Sequence, residues 1–145
     1  MQTPVRSSFL SSKIKKHIAL KIGDFYFFEN FVLVEYAKEA IISMRALHEI
    51  KTKGLGQFAN NKPFGLIVNK IHPFNTVPTD AMQLEKEIPN LVATAVVSED
   101  LTKTVNFDLE NHFFKKINRR LFSSLEEAEA WINEKVEAKK NSYTK

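Results

Sequence analysis

Asn69, Lys70, His72, Asn75, Thr76, Thr79 and Asp80 form the densest run of side chains able to bind a ligand or move a proton. Together they offer amide, ammonium, imidazole, hydroxyl and carboxylate groups, with one titratable ring among them. They leave the apolar run 64–69, which reads as a central strand, and ligands of open α/β sheets bind beyond the carboxyl ends of strands. Ser98, Glu99 and Asp100 follow a second apolar run, 91–97, and are expected at the same sheet edge. There they serve either a pocket or the start of a helix. The competing reading of 70–80 is a solvated connection that Pro73 and Pro78 stiffen.

Other chemistry is largely excluded. The chain of 145 residues has no cysteine, so disulfides, iron–sulfur clusters, thiolate zinc sites and cysteine nucleophiles are out, and a reducing, cytoplasmic setting is expected. His17, His48, His72 and His112 never occur as His-x3-His or at ligand spacing from a carboxylate, so no metal is expected. No Gly-x-Ser-x-Gly elbow selects a nucleophile, and Glu49 with Asp80 or Glu99 pairs only if the fold joins them. With four glycines, and Gly54-Leu55-Gly56 in a helical pattern, a phosphate loop is absent and no cofactor is expected.

Charge points away from nucleic acid. The chain carries a net +4, but its first 22 residues hold Arg6, Lys13, Lys15, Lys16 and Lys21 with no acid, leaving the remainder near neutral. Lys115, Lys116, Arg119 and Arg120, interleaved with Phe113, Phe114 and Phe122, read as a wet loop beside core aromatics. The serine-rich start loosely matches a targeting segment in composition and lacks the apolar stretch of a secretory signal. We expect a flexible tail over 1–12, one domain over 13–138 and a flexible tail over 139–145. The longest apolar runs fall far short of the ~20 residues that span a bilayer.

The elements that must position these groups follow from periodicity. Ile18, Leu20 and Ile22 alternate as a strand that Gly23 and Asp24 break, and the runs 25–28 and 31–36 form a hairpin about Glu29 and Asn30. Ile41 and Ile42 make a short fourth strand, and a distorted helix is predicted over 44–58. Strands 64–69, 91–97 and 121–122 then alternate with helices predicted from 79 to 88 and from 98 to 114. Ser124 and Glu127 form a capping box for a last helix whose face is Leu125, Ala128, Ile132 and Val136, with Trp131 beside it. This order predicts an α/β fold: an antiparallel N-terminal meander, then alternating helices and strands, with a mixed sheet and helices mainly on one face.

Three segments carry a family resemblance: Asp24 through Val32 (DFYFFENFV), Asn61 through Gly65 (NKPFG), and Val77 through Asp80 (VPTD). With Phe113, Phe114, Lys115, Lys116 and the run 122–128 (FSSLEEA), they resemble an uncharacterised bacterial group related to the STAS domain, the SpoIIAA-like anti-sigma-factor antagonists. The resemblance spans roughly residues 13–136 and its motifs are structural. It implies a mixed sheet with helices chiefly on one side, and regulation through protein contact or small-ligand binding. In the phosphorylatable antagonists a serine or threonine opens the helix after a central strand. Thr79 is the residue here that matches that place, although the motif's glycine is missing and Asp80 already puts a negative charge there.

The expected function is therefore a non-enzymatic regulatory or binding domain, with Asn69, Lys70, His72, Asn75, Thr76, Thr79, Asp80 and Ser98 as the contact region. A lipid or metabolite carrier with a cavity between sheet and helices, and an enzyme with an unrecognised site, stand as alternatives. The partner is an unknown protein or small ligand, and a homodimer through an exposed sheet face is left open.

Overall fold

Alternating aromatic and β-branched residues build the first half of the sheet. In the computed structural model, which describes residues 3–43, 48–50, 52, 62–72, 75–76, 88, 90–98 and 118–143, strands β1 (Lys16–Leu20), β2 (Gly23–Phe27) and β3 (Phe31–Tyr36) form an antiparallel meander. The turn about Glu29 and Asn30 closes as expected, with the Phe28 N–H donating to Phe31 O at 2.9 Å. Gly23 and Asp24, expected to break the first strand, instead open β2, and Leu20 pairs with Gly23 across a turn at residues 21–22. The reason is close approach. A Cβ at Gly23 would lie 2.5 Å from Glu35 O and 2.7 Å from Tyr36 Cα, so glycine lets β2 begin directly against β3.

Beyond the meander the pairing turns parallel. β5 (Phe64–Asn69), β7 (Leu91–Val97) and β8 (Asn118–Phe122) add to β3, giving a six-stranded mixed sheet in the order β1-β2-β3-β5-β7-β8. β8 is longer than the dipeptide expected from sequence. β4 (Ile41–Ile42) leaves the main sheet and pairs in parallel with β6 (Asn75–Thr76) in a second, two-stranded sheet. Asn75 and Thr76, expected in a loop, are thus strand residues.

The strand order never reverses across the main sheet, and one face of it holds described residues from the crossover connections. On that face Ile50 and Ile88, from the connections after β4 and β6, are buried with Phe25, Phe27, Val32, Val34 and Phe64. The opposite face is covered by the two chain-terminal segments. Helix α1 (Leu125–Tyr143) buries Leu125, Ala128, Ile132 and Val136 against Leu33, Ile67, Ala93 and Ala95. Beside it, two 3-10 turns, Val5–Ser7 and Phe9–Lys13, bury Val5 and Leu10 completely. Both faces therefore carry a core, with α1 opposite Ile50 and Ile88. The Phe25 to Phe31 aromatics are interior, as read from sequence.

Both terminal segments pack on the sheet. In the segment from Thr3 onward, Val5 and Leu10 remove apolar surface worth about 1.5–3 kcal/mol each from water. α1 starts at its capping box, where Ser124 Oγ accepts the Glu127 N–H at 3.3 Å. It continues past residue 139 because Lys140 Nζ donates to Asn30 Oδ1 at 2.6 Å, pinning its last turns to the β2–β3 turn. Gly65 lets it sit close, since a Cβ there would meet Ile132 Cγ2 at 2.5 Å. Residues 48–50 are helical, within the span predicted for a distorted helix. The helices predicted over 79–88 and 98–114 lie outside the described residues apart from Ile88 and Ser98, as do Phe113, Phe114, Lys115 and Lys116.

Candidate functional site

Strand alternation carries two polar side chains to the carboxyl edge of the sheet on the α1 face. Glu35 follows Phe31 and Leu33 along β3, and Asn69 follows Ile67 along β5. The N-terminal turns lie across both. The Val5 N–H donates to Glu35 Oε2 at 2.7 Å, and Asn69 Nδ2 donates to the same oxygen at 2.8 Å and to Thr3 O at 3.0 Å. Burial pushes the Glu35 carboxyl above its ordinary range, against the pull of the Val5 N–H and the Asn69 amide; nearby Asp24 adds to the rise and Arg6 opposes it.

A second polar chain fixes the same segment to β1 and β2. Arg6 Nε donates to Tyr26 Oη at 3.1 Å, and its guanidinium lies 5.4 Å from the Tyr26 ring centroid. Arg6 Nη2 meets His17 Nδ1 at 2.9 Å, while His17 Nε2 meets Asp24 Oδ1 at 2.8 Å. A guanidinium has no acceptor, so Nδ1 accepts; the ring is then neutral and its Nε2 proton goes to Asp24. The imidazole stacks on Tyr26 at 4.6 Å between centroids.

Where this segment approaches the start of α1, a cleft of about 300 Å³ opens. Thr3, Ser7, Ser8 and Phe9 line one side, Val97 the base, and Ser123, Ser124, Leu125 and Glu126 the other. Local structure explains two of the serines. Ser8 Oγ donates to Val5 O at 2.7 Å and accepts the Leu10 N–H at 3.1 Å, shaping the 3-10 turn, and Ser124 caps α1. Thr3, Ser7 and Ser123 complete a lining of five hydroxyls with a single carboxylate, which suits hydrogen bonding to a polar molecule. No imidazole lines it.

Of the residues singled out from sequence, Asn69, Lys70 and Ser98 are brought together at the carboxyl edge. The Lys70 N–H donates to Val97 O at 3.0 Å and the Ser98 N–H to Phe122 O at 2.9 Å. Asn69 and Ser98 are buried, and Asn69 binds the chain's own N-terminal segment. His72 is exposed beyond them, Asn75 and Thr76 belong to the second sheet, and Thr79 and Asp80 lie outside the described residues. Arg120 is exposed with its guanidinium 5.5 Å from the Phe122 ring, and Phe122 meets Trp131 at 5.5 Å. Among the described residues no three His, Asp or Glu side chains gather as metal ligands, and no helix is long and apolar enough to cross a membrane.

Sequence reasoning missed Glu35, Arg6, His17 and Asp24 as a connected set. Glu35 had a signal: it is the only charged residue in a strand whose two faces are both apolar, so its register put it inside. The cleft had none, since its two serine pairs lie at opposite ends of the chain. Compared with protein-family models, with curated proteins and with solved structures, the chain matches none.

Proposed function

We propose that this chain is a STAS-like, non-enzymatic binding domain that takes a small polar ligand into the hydroxyl-lined cleft, with regulation arising from occupancy. The observation that carries this reading is the cleft itself. Its volume of about 300 Å³ sits at the small end of ligand sites, and its lining is hydroxyl-rich with Phe9 as a partly exposed aromatic edge. It also lies at the carboxyl ends of parallel strands, where α/β sheets present their ligands. A lipid carrier is less favoured, since apolar cargo would offer no partner to the Thr3, Ser7 and Ser123 hydroxyls of the lining.

The test is the mass of gently purified protein from its own source, recorded native and then denatured, for the wild type and for Ser123→Leu. A small-molecule mass that is lost on denaturation, and is missing from Ser123→Leu, supports the cleft as the site. A bare wild type, or an equal load on Ser123→Leu, overturns it.

A further inference from the structure

Five cations and no acid occur in the first 22 residues, and three of them, Lys15, Lys16 and Lys21, fall in or beside β1. β1 is the first strand in the sheet order and, among the described residues, pairs with β2 alone, so its other side is an edge. We propose that this edge is a docking site for an acidic, extended segment of another protein, which adds to the sheet as a further strand beside β1. The contact is separate from the cleft and does not depend on the function proposed above.

The backbone of the edge is accessible. Leu20 and Gly23 pair across the turn at residues 21–22, and alternation along the ladder from that pair turns the N–H and C=O groups of His17 and Ala19 away from β2. Ala19 is exposed, so solvent reaches the middle of the strand past a single methyl group. An extended peptide pairs with such groups through its own main chain, and its side chains decide which peptide is preferred.

Charge selects the partner. Lys15 is bound to Glu29 and Lys13 to Glu129, whereas Lys16 and Lys21 are exposed and have no ion pair among the described residues. These two stand at opposite ends of β1, and the acid of β2, Asp24, is held by His17. A second copy of this chain fits poorly, because antiparallel β1 strands would set lysine near lysine with no acid in either strand. An acidic segment meets both lysines. Apolar contact adds to the fit on one face, where Ile18 and Leu20 are half-buried against the core that includes Phe25 and Phe27. The expected segment is therefore short, with acids at both ends and β-branched residues on the side of Ile18 and Leu20.

The experiment is fluorescence anisotropy with the full chain and the labelled, end-capped peptide Glu-Glu-Val-Thr-Val-Glu-Glu. Two further probes are its analogue Lys-Lys-Val-Thr-Val-Lys-Lys and the acidic peptide N-methylated on its first Val and its Thr. Methylating two successive residues removes an N–H that faces β1 in either register. The acidic peptide should bind, and the lysine analogue and the N-methylated form should each bind about tenfold or more weaker. Amide hydrogen exchange should show new protection at Ala19 on binding, with Ile132 on α1 unchanged. Lys16→Glu combined with Lys21→Glu should weaken the acidic peptide by about tenfold or more. No binding of the acidic peptide, equal binding of either other probe, or protection that spares Ala19 overturns the proposal. Ala19 protection that rises with protein concentration and without peptide assigns the edge to a second copy and overturns it as well. If Ile132 protection shows that the double variant does not fold, the three probes on the wild type decide alone.

Discussion

Two segments cover one face of the sheet, and they hold to it by different means. α1 satisfies its own backbone hydrogen bonds, so its seat on the sheet is an apolar stripe and a glycine beneath Ile132, with side-chain bonds from Asn133 and Lys140 to Asn30 beyond it. The N-terminal strap, residues 3–13, is built of 3-10 turns, closed by bonds such as Ser7 N–H to Pro4 O and Ser11 N–H to Ser8 O. Its backbone draws on the sheet for two partners, Glu35 for the Val5 N–H and Asn69 for Thr3 O, while Ser8 Oγ adds bonds to Val5 O and the Leu10 N–H within the segment. An apolar stripe on a helix therefore gives a permanent cover. Two buried side chains with two hydrogen bonds from the sheet give one that also depends on Glu35 and Asn69.

Substitutions sharpen this contrast. The largest effect is expected at Ile132, buried over Gly65, where Ile132→Ala should lower global stability by about 2–5 kcal/mol in denaturant titration, with exchange accelerated throughout the sheet. Leu10→Ala should cost less, about 1.5–3 kcal/mol, and the loss should be local: exchange rises at Val5 while Ile132 keeps its protection. Equal acceleration at both residues would show that strap and helix form one cooperative unit, and the contrast would fail.

The smallest effect concerns Glu35. Its folded carboxyl binds a proton more readily than in the unfolded chain, so folded protein holds more protons across the window between its ordinary and its raised range. Stability from this group is present below that window and is lost as pH rises through it. Partial exposure and solvent screening keep the slope shallow. Glu35→Gln should flatten that part of the stability–pH profile in paired denaturation curves, and an unchanged slope would assign it to another group.

Much of the main sheet was legible because its signals are local. Alternation at 18–20 and the apolar runs 64–69 and 91–97 each specify a strand without reference to the rest of the chain, and Ser124 with Glu127 specifies a helix start. Gly23 was misread as a breaker because its reason, contact with Glu35 and Tyr36, lies on another strand. The packing of the N-terminal segment left no local signal, for a related cause. A serine-rich, acid-free stretch looks solvated by composition, and only the sheet's bare face gives Val5 and Leu10 a place to go. The site was least legible of all. Asn69 was selected for its position beyond a strand and does sit at that edge, yet its amide is committed to Glu35 and Thr3. No spacing rule joins Ser7 and Ser8 to Ser123 and Ser124.

The position of α1 in the chain also bears on how the protein is made. Every strand of the sheet leaves the ribosome before the helix that covers it, so Leu33, Ile67, Ala93 and Ala95 stand open to solvent until the last turns of α1 have been translated. A nascent chain halted before Leu125 would present that apolar surface to chaperones or to other nascent chains. Synthesis of α1 thus supplies the cover for that surface.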